Sequence, residues 1–287
     1  MDLEDIQIFV AVADAGGVSS AARRLGVSKS IVSRSLFRLE SELGVQLLAR
    51  TTRGASLTEA GMTFREHAGR VVSELDIARE AIQPTGDLQG RLRIAAPLSF
   101  GPTHLAPVLA ELAKRHPLLQ MQTAYSDRFV DLVGEGFDAA VRVGYLADSN
   151  LVARKVGRIF GKIVASPAYI KERGAPKTLD DIAEHEALMQ GSEPWRFIAG
   201  GKTVTVHPHG RFKADNGIAL AAAAVAGLGI AALPDFLIEE HIASGALVAV
   251  MTKLPLPEAG IFVLRPPGDN PARKVRVLTE LLIKHFG

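Results

Sequence analysis

Near the N-terminus the apolar positions fall at helical spacing. Ile6, Phe9, Val10 and Ala13 stand at i, i+3, i+4 and i+7, so they share one helical face, and Gly16-Gly17 stops that helix. Val18, Ala21, Ala22 and Leu25 form a second, shorter stripe, with Ser19 or Ser20 as its cap. Gly26-Val27-Ser28 is a tight turn whose serine is placed as an N-cap, and Val32, Leu36, Leu39 and Leu43 make a third stripe. The small Ala21 and Ala22 let the second and third helices approach closely. Helix, short turn, helix is a helix-turn-helix. Short extended pieces at 46–50 and 55–58 flank a turn holding Arg53 and predict a β-hairpin wing. Thr58 then caps a helix from 59 to about 83, whose apolar edge is Ala68, Val71, Val72, Leu75, Ala78 and Ile82. A helix of that length with one apolar edge wants a partner helix, which predicts a dimer seam. Pro84-Thr85-Gly86 ends it and marks a linker.

From Gly90 the pattern changes. Strands are predicted at 91–96, 118–124 and 137–143, and helices at 102–115 and 129–133. A second alternation runs through 161–165, 215–226, 229–233 and 261–264, and 271–286 reads as a closing helix. Strands alternating with helices predict a parallel sheet. No internal repeat or low-complexity stretch interrupts this order.

Composition adds exclusions. The chain has 287 residues, 47% hydrophobic and 22% charged, which is ordinary for a globular protein and leans to two domains. Folding at this length buries roughly 75% of the unfolded surface. Without cysteine there are no disulfides, thiolate zinc sites, Fe–S clusters or cysteine nucleophiles. The start is acidic (Asp2, Glu4, Asp5), unlike a signal peptide. The longest uncharged run, 218–233, falls short of the roughly 20 residues of a spanning helix and reads as a buried helix entering a buried strand. A cytoplasmic protein without contact to membranes is expected. The net charge of +2 says little, but its distribution says more. Between Ala15 and Leu39 stand Arg23, Arg24, Lys29, Arg34 and Arg38 with no acidic residue. Such a patch neutralises phosphates and releases counterions. On the third helix Ser30, Ser33, Arg34, Phe37 and Arg38 share the face opposite the apolar stripe, and most can donate hydrogen bonds. A merely solvated basic face is the bland alternative. The tight turn, the caps and the amphipathic third helix favour DNA.

These residues resemble the LysR-type transcriptional regulators. The likeness runs through Phe9-Val10, Ala21-Ala22, Leu25, Val27-Ser28, Val32-Ser33-Arg34, Leu39-Glu40 and Leu43-Gly44-Val45. It continues at Leu47-Leu48, Arg50-Thr51-Thr52-Arg53 and Leu57-Thr58-Glu59-Ala60-Gly61. Further on, 90–97, Asp131-Leu132-Val133, 136–142, Asp215-Asn216-Gly217, 226–230 and Leu233-Pro234 are similar to the family's effector domain. Three positions depart. Lys29-Ser30 replaces the common Gln-Pro, so target preference cannot be carried over. Phe37 stands where a polar residue is usual; it either packs against a neighbour, the favoured reading, or presses on a deoxyribose or thymine methyl.

The resemblance implies an α/β multidomain protein: an N-terminal winged helix-turn-helix with a long linker helix, and a C-terminal two-subdomain, periplasmic-binding-protein-like α/β effector domain. The implied boundaries are 1–58 for DNA binding, 59–89 for the dimerising linker helix and hinge, and 90–287 for the effector domain. In that domain, subdomain I comprises about 90–162 plus 266–287, and subdomain II about 163–265. The third helix is then expected in the major groove of promoter DNA. Ser28, Lys29, Ser30, Ser33, Arg34 and Arg38 would contact it there, with Thr52 and Arg53 on the wing. Effector contacts are expected from Leu98, Ser99, Phe100, Thr103, Arg142 and Asp215. The loop amides and Ser99 suit an anion, and Arg142 suits a carboxylate. The expected partners are double-stranded DNA, a small effector and further copies of the chain, as homodimer or homotetramer; RNA polymerase is a further candidate. No cofactor or metal is implied. The effector acts by shifting the population between two arrangements of the domains on DNA.

Other classes fit less well. Ser99 lacks the Gly-x-Ser-x-Gly elbow of hydrolases. Gly200-Gly201-Lys202-Thr203 resembles the tail of a phosphate loop, but Arg196 occupies its first glycine position. His207-Pro208-His209 has no third metal ligand nearby in sequence, and Gly227-Leu228-Gly229 lacks the third glycine of a dinucleotide fingerprint. A solute-binding protein would leave the basic head unexplained, and so would a scaffold.

Overall fold

A computed structural model of the chain describes residues 1–51, 54–82, 87–146, 148–268 and 271–287. The head consists of α1 (Leu3–Ala15), α2 (Val18–Leu25), α3 (Lys29–Leu43), the hairpin β1 (Leu48–Thr51) and β2 (Gly54–Leu57), and the long α4 (Glu59–Ile82). Local chemistry sets its boundaries. Asp2 caps α1, and the Ser28 hydroxyl accepts from the Ile31 amide at the start of α3. Thr58 caps α4 by accepting from Gly61 N, while its own hydroxyl donates to Gln46 O. Gly26 ends α2 in the left-handed conformation (φ 68°), which lets the chain turn sharply into α3. α2, by contrast, starts at Gly17 with no side-chain cap, so Ser19 and Ser20 lie inside the helix and do not cap it.

Phe9, Val12, Ala21, Val32 and Leu39 are fully buried and join three helices in one core. Each large side chain buried there contributes roughly 1.5–3 kcal/mol. The buried face of α1 is rotated from the expected one: Ile8 and Val12 are inside, and Val10 and Ala13 are half-buried. The cause is α4, which crosses α1 and sets Phe64 edge-on to Phe9 at 5.3 Å. Of the predicted apolar edge of α4, Ala68 is buried and Val72 packs on the head, while Val71 and Ala78 face outward. The side chain of Ile82, Gln83 and the linker Pro84-Thr85-Gly86 fall outside the described residues.

The remainder contains β3 (Gly90–Ala96), a π turn (Gly101–Leu105) leading into α5 (Ala106–Arg115), β4 (Leu119–Tyr125), β5 (Ala139–Gly144) and β6 (Val152–Ile159). Next come β7 (Gly161–Ala165), α6 (Pro167–Arg173), a 3-10 turn (Asp180–Glu184), β8 (Ala187–Gln190), β9 (Trp195–Ala199), β10 (Lys202–Val206) and β11 (Phe212–Ala214). The chain closes with α7 (Gly217–Val225), β12 (Ile230–Pro234), α8 (Asp235–Ala243), β13 (Val248–Val250), β14 (Ala259–Arg265) and α9 (Arg273–Phe286).

Among the described residues two five-stranded sheets result, ordered β4-β3-β5-β14-β6 and β11-β8-β12-β7-β13, besides the two-stranded β9–β10 hairpin. They are mixed, not parallel: β14 runs antiparallel to β5 and β6, and β7 antiparallel to β12 and β13. The chain passes between the sheets from β6 to β7 and returns from β13 to β14. β14 therefore belongs to the first sheet, although a boundary at 265 assigns it to the second subdomain. Residues 129–133 are a loop, not a helix. Asp131 Oδ1 accepts from Val133 N and Gly134 N and holds the chain in a turn. Gly200-Gly201, with φ of 56° and 75°, is the two-residue turn of the β9–β10 hairpin, which accounts for its glycines without a phosphate. Among the described residues no helix is long and apolar enough to cross a membrane.

A buried charge cluster fastens the head to the first sheet. The Asp14 carboxylate, 3% exposed, accepts from Arg65 Nη2 of α4 (2.6 Å), from Arg91 Nη1 and from Arg93 Nη1 (3.4 Å), the last two on β3. Arg65 and Arg93 also donate to the carbonyls of the 134–136 loop. Burial, opposed in part by Asp14, lowers the Arg91 pKa to about 10. A cavity of about 470 Å³ opens beside the cluster, lined among others by Arg65, Arg93, Phe137 and Lys274.

Candidate nucleic-acid interface and effector cleft

α3 presents Ser28, Lys29, Ser30, Ser33, Arg34 and Phe37 to solvent along one side of the head. The stripe that roots the helix (Val32, Leu36, Leu39) lies opposite, so the outward direction of this face is fixed by packing. The Ser28 and Ser30 hydroxyls lie 2.8 Å apart and leave further lone pairs open. Glu40 accepts from Leu47 N (2.7 Å) and Leu48 N (3.0 Å), which sets the wing strands relative to α3. In the wing Leu48 pairs with Leu57 and Thr51 with Gly54. Thr52 and Arg53 lie outside the described residues.

Two residues of this face differ from expectation. Arg38 donates to Asp5 Oδ1 (2.6 Å) and Oδ2 (3.2 Å) on α1. Burial alone would raise the Asp5 pKa, but the hydrogen bonds from Arg38 and Ser35 outweigh it and hold the carboxyl below its usual range. The Arg38 guanidinium is thus paired with α1, while its side chain stays 53% exposed. Phe37 has no packing role of the favoured kind, being 71% exposed.

Beyond the head, the loop after β3 is arranged differently from the anion cradle the sequence suggests. Phe100 is 2% exposed and packs with Phe236 and Phe286 at 5.2 and 5.5 Å in the first sheet's core, so it cannot line a cleft. The backbone N–H groups of Phe100 and Gly101 both donate to Pro97 O. The Leu98 N–H is taken by a carboxylate of the chain itself, Asp127 Oδ1, at 2.9 Å. Ser99 is half-buried and does not cap the following turn, and Thr103 and Leu98 are exposed.

Asp127 has a second partner across the gap between the sheets. Its Oδ2 accepts from Asn216 Nδ2 at 2.5 Å. Asn216 caps α7, accepting from Ile218 N (2.8 Å) and Ala219 N (3.4 Å). Asp215, the predicted contact, is exposed, and its carbonyl accepts from Gln190 Nε2. Arg142 on β5 is 8% exposed. It donates to Arg128 O at 2.9 Å and lies 5.2 Å from the Phe129 ring. Among the described residues no carboxylate pairs with it; burial lowers its pKa and Asp127 opposes that only through space. Arg128 in turn is held by Glu135 through two bonds of 2.8 and 2.5 Å. Sequence reasoning missed Asp127 and Phe129; Asn216 falls in the expected region around Asp215-Asn216, where it, and not the Asp215 carboxylate, makes the contact. Asn216 carries a usable signal, an N-cap type directly before an alanine-rich run; Asp127 carries none.

Comparison with known proteins fits this geometry. The profile described as bacterial regulatory helix-turn-helix protein, lysR family, matches residues 3–62, and that described as LysR substrate binding domain matches residues 85–287. The chain is 37% identical to the HTH-type transcriptional regulator PtxR of Pseudomonas aeruginosa, covering 100% of this chain and 94% of the relative. Among solved structures it resembles the full-length Vibrio cholerae virulence activator AphB (28% identity, TM-score 0.60, 100% of both chains). It also resembles CrgA from Neisseria meningitidis (30% identity, TM-score 0.59, 100% of this chain and 99% of that one). With the helix-turn-helix head, the two-sheet C-terminal half and these matches over its whole length, the chain belongs to the LysR family of transcriptional regulators.

Proposed function

We propose that this regulator reads promoter DNA with the exposed face of α3 and responds to a small carboxylate held near Arg142. The observation that carries the first part is the α3 face itself. Lys29, Ser30, Ser33 and Arg34 point outward from a helix rooted by its opposite side, in a segment without acidic residues. Arg34 supplies the forked donor for guanine, the serines add bonds to bases or phosphates, and Ser28 at the helix start suits a phosphate. Thr52 and Arg53 serve the backbone or minor groove. Arg38 acts indirectly, by fixing α3 on α1 through Asp5.

For the effector, Arg142 is a buried cation without an ion-pair partner among the described residues, which favours an anionic ligand. Such a ligand competes with Asp127 for the Leu98 amide, next to Ser99 and Thr103. Releasing Asp127 from Asn216 frees the two subdomains to shift. The ligand biases this equilibrium only by its differential affinity for the two states. The outward apolar residues of α4, Val71 and Ala78, support pairing of two chains there, and a tetramer or contact with RNA polymerase would build on that dimer. The site of action is the cytoplasm, with the promoter.

Fluorescence anisotropy on the DNA upstream of the protein's own gene, beside a scrambled duplex, tests the DNA half. Arg34→Ala is expected to weaken specific binding by about 1–3 kcal/mol. Equal loss on both duplexes would reduce Arg34 to a phosphate clamp.

A further inference from the structure

We infer that Phe37 is a base-reading residue that packs on the C5 methyl of a thymine in the major groove. The inference rests on the proposal that α3 enters that groove. Single exposed hydrophobic residues are common on protein surfaces and by themselves mean little. The position of Phe37 is what separates it from them. It follows Ser33 by four residues and Arg34 by three, so its ring shares their side of the helix. The core beneath is complete without it: Val32, Ser35, Leu36 and Leu39 fill the buried side of α3. The neighbouring Arg38 is drawn off to Asp5, which leaves the ring unobstructed from that side. With 71% of its surface exposed, the phenyl is the bulkiest apolar group on a face otherwise made of donors and positive charge.

That combination selects its occupant. The surroundings are basic on the N-terminal side of the ring, and Glu40, three residues on, is taken up by the Leu47 and Leu48 amides, so the face attracts a polyanion and disfavours a purely apolar protein partner. A phenyl ring can neither bond a phosphate nor exchange hydrogen bonds with base edges. The apolar feature of the major-groove edge is the thymine methyl, present on one base of the four. Three residues along a helix advance about 4.5 Å, comparable with the ~3.4 Å between stacked bases. The thymine is therefore expected one or two base steps from the base contacted by Arg34.

The test uses the full-length protein and an operator obtained by selection from random duplexes. Each thymine is replaced singly by deoxyuridine, which removes only the methyl, and binding is measured for the wild type, Phe37→Ala, Phe37→Leu and Arg34→Ala. One deoxyuridine position should weaken wild-type binding about three- to tenfold, as expected for removing one buried methyl contact. Phe37→Ala should lose at least as much on the thymine duplex and be indifferent to that same substitution, while Phe37→Leu and Arg34→Ala should keep sensitivity to it. If Phe37→Ala weakens every duplex equally, with no position coupled to it, the ring rests on sugar and the inference is wrong. If Phe37→Ala instead changes the sedimenting mass and leaves DNA affinity intact, the ring is an interface between copies and the inference is equally overturned. Loss of specificity in Arg34→Ala without any Phe37 coupling removes only this inference. Full specificity in both variants removes the major-groove reading of α3 itself.

Discussion

Replacing Asp14 with alanine removes the carboxylate that bonds the guanidiniums of Arg65, Arg91 and Arg93 together, and leaves Asp138 acting on the Arg93 guanidinium only through space. The three guanidiniums are 13%, 18% and 14% exposed, so water screens them poorly. Breaking a buried ion pair from one side typically costs about 3–5 kcal/mol, because the remaining charge stays desolvated. Here the lower end applies. Arg65 and Arg93 keep the carbonyls of Gly134, Glu135 and Gly136, and Arg91 keeps Gln122 Oε1. A loss of about 3 kcal/mol shifts an equilibrium more than a hundredfold. Asp14 and Arg65 both belong to the head and Arg91 and Arg93 to β3, so the share of this loss carried by the two β3 arginines falls on docking of the head against the first sheet. Small-angle scattering should show a larger radius of gyration for Asp14→Ala. Urea unfolding should separate into two transitions where the wild type shows closer coupling. An unchanged radius together with an unchanged unfolding profile would refute the assignment of Asp14 as the anchor.

Two further outcomes follow from the same physics. The Asp5 carboxyl, held below its usual 3.8 by Arg38 and Ser35 against the opposing effect of burial, contributes stability that is present above that value and is lost as pH falls through its lower folded value. Acid unfolding of the wild type followed by circular dichroism should therefore steepen below about pH 4, and Asp5→Asn should be less stable at neutral pH with a shallower acid limb. Asp127→Ala removes the cross-gap bond to Asn216 Nδ2, together with the bond to Leu98 N on its own side of the gap, so amide exchange at the start of α7 should accelerate while exchange in α3 stays unchanged; equal protection in the two proteins would show that this contact does not hold the subdomains together.

Much of the head was determined by the sequence. Ser28 and Thr58 cap helices through amides three residues on, and the stripe Val32, Leu36, Leu39 repeats at helical period; such signals need only neighbours within a turn or two. The wing strands and the alternation after Gly90 are legible for the same reason. The loop at 129–133 misled because its apolar residues mimic one helical turn, whereas Asp131 closes a tighter one. Phe100 follows a strand end, as a cleft residue would, yet α9 and α8 bring Phe286 and Phe236 onto it. Arg38 reads as another cation of the basic face until α1 brings Asp5 to it, 33 residues away. Asp14 and Arg91 are 77 residues apart, Asp127 and Asn216 89. No local period records such pairs. A charge's partner, and thus whether it faces solvent, DNA or the interior, is decided only when the packed helices and sheets bring distant segments together.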